Sequence, residues 1–301
     1  MRAVTTIVVG LAALLALAAC GDAASDGQGS GDGQGGQEPT LLIGGIPDQD
    51  RSFLEERFGA VADRLSQKLG IPVEYQPSTD YAAVVTAFRN GDIQLGWFGG
   101  FTGVQARSTV DGARAIAQRQ IDTQFHSVFI AQSDVDANSL ADLGGSSFTF
   151  GSESSTSGHL MPRHYLREAG IDADEDFETV SYSGSHDTTA QQVAAGSFEA
   201  GALNATVWDT LVEDGEIDTE RVQVVERVGP YSDYNWTAHP RIDEVYGEGT
   251  TDEITQALLA MDDTPQGRDV LDMFSAEEFI ASSNDNYAQI EQVARDLGML
   301  Q

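Results

Sequence analysis

Two α/β lobes joined by a two-strand hinge are the fold this sequence predicts, on three observations. Strand-like and helix-like runs alternate along most of the chain. The order strand–helix–strand–helix–strand occurs twice, and the two copies share a glycine-marked pattern: Gly91-Asp92-Ile93-Gln94-Leu95-Gly96-Trp97 in the first and Gly196-Ser197-Phe198-Glu199-Ala200-Gly201-Ala202 in the second. Two extended runs, Phe125 to Ala131 and Val222 to Tyr231, stand where the chain would pass between the halves. The expected organisation is residues 40–130 with 230–301 in lobe 1 and 131–229 in lobe 2.

Taken in order, Leu41 to Ile46 is an apolar run closed by Gly44, Gly45 and Pro47. Leu54, Phe58, Val61, Leu65 and Leu69 then share one helical face. Ile71 to Tyr75 reads as a second strand, and Thr79-Asp80 as the N-cap of a helix carrying Tyr81, Val84, Val85 and Phe88. Gly91 ends that helix and Ile93 to Trp97 forms a third strand. Such a βαβαβ order implies a parallel sheet covered by helices. In the second half, Ser147 to Phe150, Thr179 to Tyr182 and Phe198 to Ala202 are the strands. The helices between them run over His159–Glu168 and Asp187–Ala195. Keeping the glycine register sets Tyr81 against His186 and Gly99 against Asn204. Three amphipathic stretches near the carboxy terminus, around Ile254, Val270 and Ile290, are expected to pack on lobe 1.

The amino terminus is a targeting segment. Arg2 supplies its charge, Ile7 to Leu17 its apolar core, and Leu17-Ala18-Ala19-Cys20-Gly21 its small-residue cleavage region. That core is shorter than the roughly 20 residues a membrane-spanning helix needs. Leu-Ala-Ala-Cys resembles a bacterial lipobox, which makes residues 1–20 a signal peptide and Cys20 the lipid attachment site. A plain signal peptide with a stray thiol is the alternative. Cys20 is the only cysteine, so no internal disulfide can form. Residues 21–39, nearly all Gly, Asp, Ser and Gln up to Gln37, hold nothing that could be buried and read as a disordered tether. The net charge of −32, from 48 acidic and 16 basic residues with Lys68 the single lysine, excludes nucleic acid as a partner. An acidic surface so poor in lysine suits concentrated salt.

The chemistry concentrates in four corners at the carboxyl ends of strands, where open α/β sheets gather ligands. They are Ser78 to Tyr81, Phe98-Gly99-Gly100-Phe101-Thr102, Ser154 to His159, and Ser183 to Asp187. Each opens a helix, whose first N–H groups lack internal partners and whose dipole favours an anion. Five hydroxyls in the six residues from Ser152 to Ser157 exceed what an N-cap and a serine-rich loop require. Ser154, Ser155, Thr156 and Ser157 offer hydroxyls and amides, and Gly158 its amide. His186 offers a ring N–H, with added charge as imidazolium, and Tyr81 a phenolic donor from the other lobe. Gly99 and Gly100 leave their amides accessible, while Phe98 and Tyr234 are candidate walls. Ser183 and Asn204 belong to the same corners; His126 sits near the hinge, and His159 beside the serine corner. Asp80, Asp187 and Glu153 would repel an oxyanion unless it carries a proton, as phosphonate and hydrogen phosphite do and sulfate and selenate do not. The simpler reading is that Asp80 and Asp187 cap helices.

Together these residues resemble a known set. Asp80-Tyr81-Ala82-Ala83-Val84-Val85, Trp97-Phe98-Gly99-Gly100, Ser154 to Pro162, Ser183-Gly184-Ser185-His186-Asp187, Gly201 to Asn204 and Asp233 to Thr237 look like the phosphonate/phosphite solute-binding proteins of ABC importers, closest to the branch labelled selenate-binding. The resemblance spans Leu41 to Leu300. It implies a type II periplasmic-binding-protein fold that closes on a small oxyanion and presents it to a membrane permease. It further implies ligand contacts at Tyr81, Ser155, Thr156, Ser157 and His186. No cofactor or metal is expected, and the protein is expected to be a monomer on the outer face of the membrane. A secreted hydrolase is disfavoured: there is no Gly-x-Ser-x-Gly elbow, no Ser-x-x-Lys, and His159 and His164 do not share a helix face. A ligand sensor docking a membrane receptor would use every residue named here.

Overall fold

A computed structural model describes residues 39–300; the lipobox cysteine Cys20, the signal peptide and all but the last residue of the tether lie outside the described residues. The first copy of the motif is β1 (Leu41–Gly45), α1 (Arg51–Leu69), β2 (Val73–Tyr75), α2 (Tyr81–Asn90) and β3 (Leu95–Phe98), followed by α3 (Gly100–Thr109) and β4 (Arg114–Arg119). Local chemistry sets these ends. The Asp50 carboxylate accepts from Ser52 N at 2.8 Å to start α1, and the Asp80 carboxylate accepts from Ala83 N at 2.8 Å to start α2. Gly91 ends α2 at φ 76°, a left-handed conformation costly for any residue with a Cβ.

The middle of the chain runs through β5 (Phe125–Gln132), β6 (Ser147–Phe150), a helix made of a wide turn at Thr156–Leu160 and then α4 (Met161–Glu168), β7 (Thr179–Tyr182), α5 (His186–Ala194), β8 (Ala200–Asn204), α6 (Ala205–Glu213) and β9 (Val222–Tyr231). It returns through β10 (Asn235–Ala238), α7 (Arg241–Tyr246), α8 (Thr250–Leu259), α9 (Pro265–Met273), β11 (Phe279–Ala281) and α10 (Ala288–Asp296).

Two mixed sheets result, ordered β2–β1–β3–β10–β4–β11 and β7–β6–β8–β5–β9. In each, three parallel strands are followed by an antiparallel one: β10 beside β3, and β5 beside β8. The sheets are therefore not purely parallel as the βαβαβ order implies. Strands returning from the other half fill the position next to the third strand, and they run in the opposite direction. Phe125 to Ala131, expected as a crossing, is a full member of the second sheet, pairing with both β8 and β9. The change of sheet thus falls in the short turn at Gln120–Gln124 and, on the return, between Tyr231 and Asn235.

The repeat inferred from the glycine register has a structural counterpart. Tyr81 and His186 are each the first residue of the helix after the second strand of their sheet, and Gly99 and Asn204 each cap the helix after the third. The carboxy-terminal helices bury Ile254, Leu258, Val270, Leu271, Ile290 and Val293 in one core with Leu41, Phe58 and Trp97 of the first sheet. This packing supplies the hydrophobic stabilisation that a three-layer half requires.

Candidate functional site

The serine corner is built by its own turn. Ser155 is the N-cap, its hydroxyl accepting from Gly158 N at 3.0 Å, and Leu160 N donates back to Ser155 O at 3.0 Å. This five-residue spacing widens the first turn, a feature that recurs at functional sites. Ser155, Thr156, Ser157 and Gly158 are all buried here, at the start of a helix running to Glu168. The helix thus starts earlier than the expected His159. Gly151 N closes the corner on Gly158 O at 2.8 Å.

Corners from the two sheets meet. Phe101 N, in the first turn of α3, donates to Thr156 Oγ1 at 3.0 Å, and the Thr156 hydroxyl in turn lies beside the Asp233 carboxylate. A Cβ on Gly99 would stand 2.9 Å from Thr156 Oγ1 and 3.2 Å from Asp233 Oδ1, so glycine is what permits this approach. His186 N donates to the Asp48 carbonyl at 2.9 Å. Asn204 N donates to His186 Nδ1 at 3.3 Å, which places the proton of a neutral ring on Nε2, 3.4 Å from the Tyr234 hydroxyl. Asn204 Nδ2 donates to the same hydroxyl at 3.2 Å, while Asn204 Oδ1 caps α6. Burial pushes the His186 imidazolium down in pKa against the pull of Asp48 and Asp187, so the ring acts as a neutral donor rather than the cation considered from sequence. The Tyr81 hydroxyl is buried beside Ser155 without a hydrogen-bond partner, and burial holds the phenol well above its ordinary pKa.

Three buried carboxylates surround these groups, and they are not equivalent. Asp48 is paired with Arg57 at 3.1 Å. Asp122 is gripped by both arms of Arg119, at 2.8 and 2.7 Å, and the Arg119 guanidinium lies 4.8 Å from the Tyr234 ring centre. Asp233 has no arginine. Its Oδ1 accepts from Gly100 N at 2.8 Å, and its Oδ2 is buried without a partner. Burial pushes Asp233 up to about 7; the Gly100 amide, the Thr156 hydroxyl and the charge of Arg119, which is paired with Asp122, oppose the rise, and Asp122 adds to it. A buried polar atom left unpaired costs free energy, and Asp233 Oδ2 and the Tyr81 hydroxyl are two such atoms within the candidate site.

The structure does not gather every candidate. His126 lies on β5 with its ring against Gly229 of β9, on the hinge. His159 is committed to its own corner. Its Nδ1 bonds Glu153 O at 2.7 Å, its Nε2 accepts from Arg163 Nε at 3.2 Å, and burial pushes it down to about 4. Phe98 is a core residue, edge-on to Phe88 at 5.4 Å. Ser183 holds its turn through Ser185 O and Thr189 Oγ1, and Ser154 N reaches only Ser152 Oγ, at 3.4 Å. The Asp187 carboxylate is tied to the Ser185 hydroxyl and to Thr188 N, inside the first turn of α5 rather than at its cap. Asp48 and Asp233 are not among the sequence candidates, because each reads as an ordinary turn aspartate; Asp233 enters there only within the Asp233 to Thr237 stretch of the resemblance. No cluster of three or more His, Cys, Asp or Glu suited to a metal occurs among the described residues.

Known proteins share the sequence pattern and the fold. Residues 43–287 match the family described as "ABC transporter, phosphonate, periplasmic substrate-binding protein". The chain is 38% identical over 268 residues, 86% of its length and 90% of the relative's, to "Probable ABC transporter phosphite binding protein PhnD1" of Prochlorococcus marinus (strain MIT 9301). It is 25% identical over 267 residues, covering 86% of its own length and 77% of the relative's, to the phosphonates-binding periplasmic protein of Escherichia coli (strain K12). The solved structure of PhnD1 in complex with methylphosphonate superposes with a TM-score of 0.83 at 39% identity, covering 86% of this chain and 98% of that one. A phosphonate-transporter binding component from Pseudomonas aeruginosa shares the fold, with a TM-score of 0.77 at 19% identity and 85% of each chain covered. These relatives bind and deliver; they do not catalyse. The chain belongs to the family of periplasmic substrate-binding proteins of ABC phosphonate transporters.

Proposed function

We propose that this protein captures a small tetrahedral oxyanion of the phosphonate or phosphite class that carries a proton, and hands it to an ABC permease. One lobe is built on the sheet of β1 to β4, β10 and β11, the other on the sheet of β5 to β9, and the guest is held where their corners meet. Thr156, Ser157 and the amides of the α4 helix take the anionic oxygens, Tyr81 donates from the opposite side, and the neutral His186 and Tyr234 close the remaining face. The observation that carries this reading is the buried carboxylate of Asp233, whose Oδ2 has no hydrogen-bond partner and which forms no ion pair. Above about pH 7, where Asp233 has lost its proton, an anion sits beside it by supplying a hydrogen-bond donor, and a P–OH group does so. Two relatives support the class: PhnD1 by its description as a phosphite binder and by its methylphosphonate complex. The same argument sets selenate, named by the sequence resemblance, below phosphite and methylphosphonate, because it brings no proton at neutral pH.

Thermal unfolding in high salt with phosphite, methylphosphonate, phosphate, selenite, sulfate and selenate tests the proposal. Phosphite and methylphosphonate should raise the unfolding temperature, since a ligand at 100 times its Kd adds about 2.7 kcal/mol of stability. At pH 8, where Asp233 is ionised, sulfate and selenate should leave it unmoved. Thr156→Val, which keeps the shape but removes the hydroxyl, should weaken methylphosphonate by about 1.5–3 kcal/mol, the value of a hydrogen bond to a charged group. No shift with any anion would defeat the reading.

The lipobox supports anchoring through Cys20 on the outer face of the membrane, with the Gly-rich stretch after it as a leash. Cys20→Ser should release the protein into the medium; retention in the membrane fraction would refute the anchor.

A further inference from the structure

Beside the oxyanion corner lies a chamber of about 300 Å³ with largely apolar walls from Phe53, Trp97, Val207, Met273 and Phe274. Asn204 and Tyr234 also line it. Their polar ends belong to the chain of hydrogen bonds already described, from Asn204 Nδ2 to the Tyr234 hydroxyl to His186 Nε2. The far end of that chain touches the oxyanion corner: a Cβ on Gly158 would stand 3.2 Å from His186 Cε1. One face of the bridge therefore borders the chamber, and its other end borders the corner that holds Thr156 and Asp233.

We infer that the Asn204–Tyr234–His186 bridge is a partition that sets the upper size of the ligand, and that the chamber behind it accepts a short alkyl tail once the partition is cut. The inference rests on the oxyanion reading of the corner. Three features support it. The bridge is assembled from both halves, with His186 and Asn204 at helix starts of the second and Tyr234 in the connection from β9 to β10 that returns to the first. Every member is buried, so a longer substituent cannot pass without displacing one of them. Tyr234 is also braced from behind, stacked on Trp97 at 5.5 Å and 18° with the Arg119 guanidinium on its ring, so it does not swing aside freely. The apolar part of the wall matches a hydrocarbon tail, and the two arginines that also line the chamber, Arg57 and Arg119, are already paired with Asp48 and Asp122.

Calorimetric titration of methylphosphonate and propylphosphonate, in high salt at neutral pH, decides the matter through the ratio of their dissociation constants. The wild-type chain should prefer methylphosphonate by about 100-fold or more, the scale expected for forcing extra methylenes into a packed site. Tyr234→Ala should bring the ratio to within about tenfold by joining the two spaces. Because Tyr234→Ala strips a ring from the hinge core, Asn204→Ser is the second variant; serine keeps the α6 cap and removes the amide that locks the phenol. A purely structural role would weaken both ligands together and leave the ratio where it was. An unchanged ratio in both variants, or a wild type that takes both ligands equally, would overturn the partition. A wild type that ignores methylphosphonate would instead remove the oxyanion reading, and the partition with it.

Discussion

Asp233→Asn is expected to change which anions this protein accepts. In the wild type the Asp233 carboxylate has one oxygen on Gly100 N and the other bare, with no arginine to neutralise it. A fully deprotonated guest would set two like charges about 4 Å apart, a repulsion of about 4 kcal/mol at the effective dielectric of a protein site. A guest with a P–OH donates to the bare oxygen instead. In Asp233→Asn the amide oxygen keeps the Gly100 contact and the NH₂ points a donor where the bare oxygen was. Sulfate and selenate should then gain about 100-fold in affinity or more, while methylphosphonate, whose proton loses its acceptor, should weaken. Calorimetry at pH 7 in high salt reads both changes. A variant that still ignores sulfate and binds methylphosphonate like the wild type would show that Asp233 does not read the ligand.

The second large effect is on pH. Asp233 and its guest share a proton, and burial has pushed Asp233 up to about 7. Below that pH the free protein already holds the proton. Above it, once the guest in solution has lost its own second proton as well, each binding event must take one up from solvent. Methylphosphonate affinity should therefore fall by about tenfold per pH unit on the alkaline side, because one pKa unit corresponds to about 1.4 kcal/mol. Titrations at pH 9 in buffers of different ionisation enthalpy should report uptake of about one proton. The empty protein has a related signature. A carboxyl whose folded pKa is raised contributes stability that is whole below its unfolded value and lost as pH rises through the folded one. The empty chain should accordingly become less stable between about pH 4 and pH 7, and Asp233→Asn should flatten that slope. An affinity that stays level from pH 7 to pH 9 would rule out the shared proton.

Much of the site is visible in the sequence because it is made locally. A strand, a small-residue turn and a helix start lie within a few residues of one another, so Ser155 capping Gly158 and Asp80 capping Ala83 are local events. The pairing of Tyr81 with His186 and of Gly99 with Asn204 could be found because the two halves repeat one order of elements. Phe98 shows the limit. Whether a side chain at the end of a strand turns into the core or into a crevice depends on what packs on each face, and Phe88 claims it. His159 shows another: a buried histidine whose two nitrogens are engaged by Glu153 and Arg163 has the same letter as one that meets a guest.

The sequence by itself determined the two α/β halves, the helix-start corners that would meet an anion, and the acidic composition, since all of these follow from periodicity, composition and short-range turn chemistry. Only the tertiary structure decided which of the chain's many carboxylates matters. Asp48, Asp122 and Asp233 are alike as letters; folding gives the first two an arginine each and leaves the third buried without an ion pair, beside Thr156 and Gly100. The charge state of a group is set by its solvation and its neighbours, and both come into being only when distant segments are brought together.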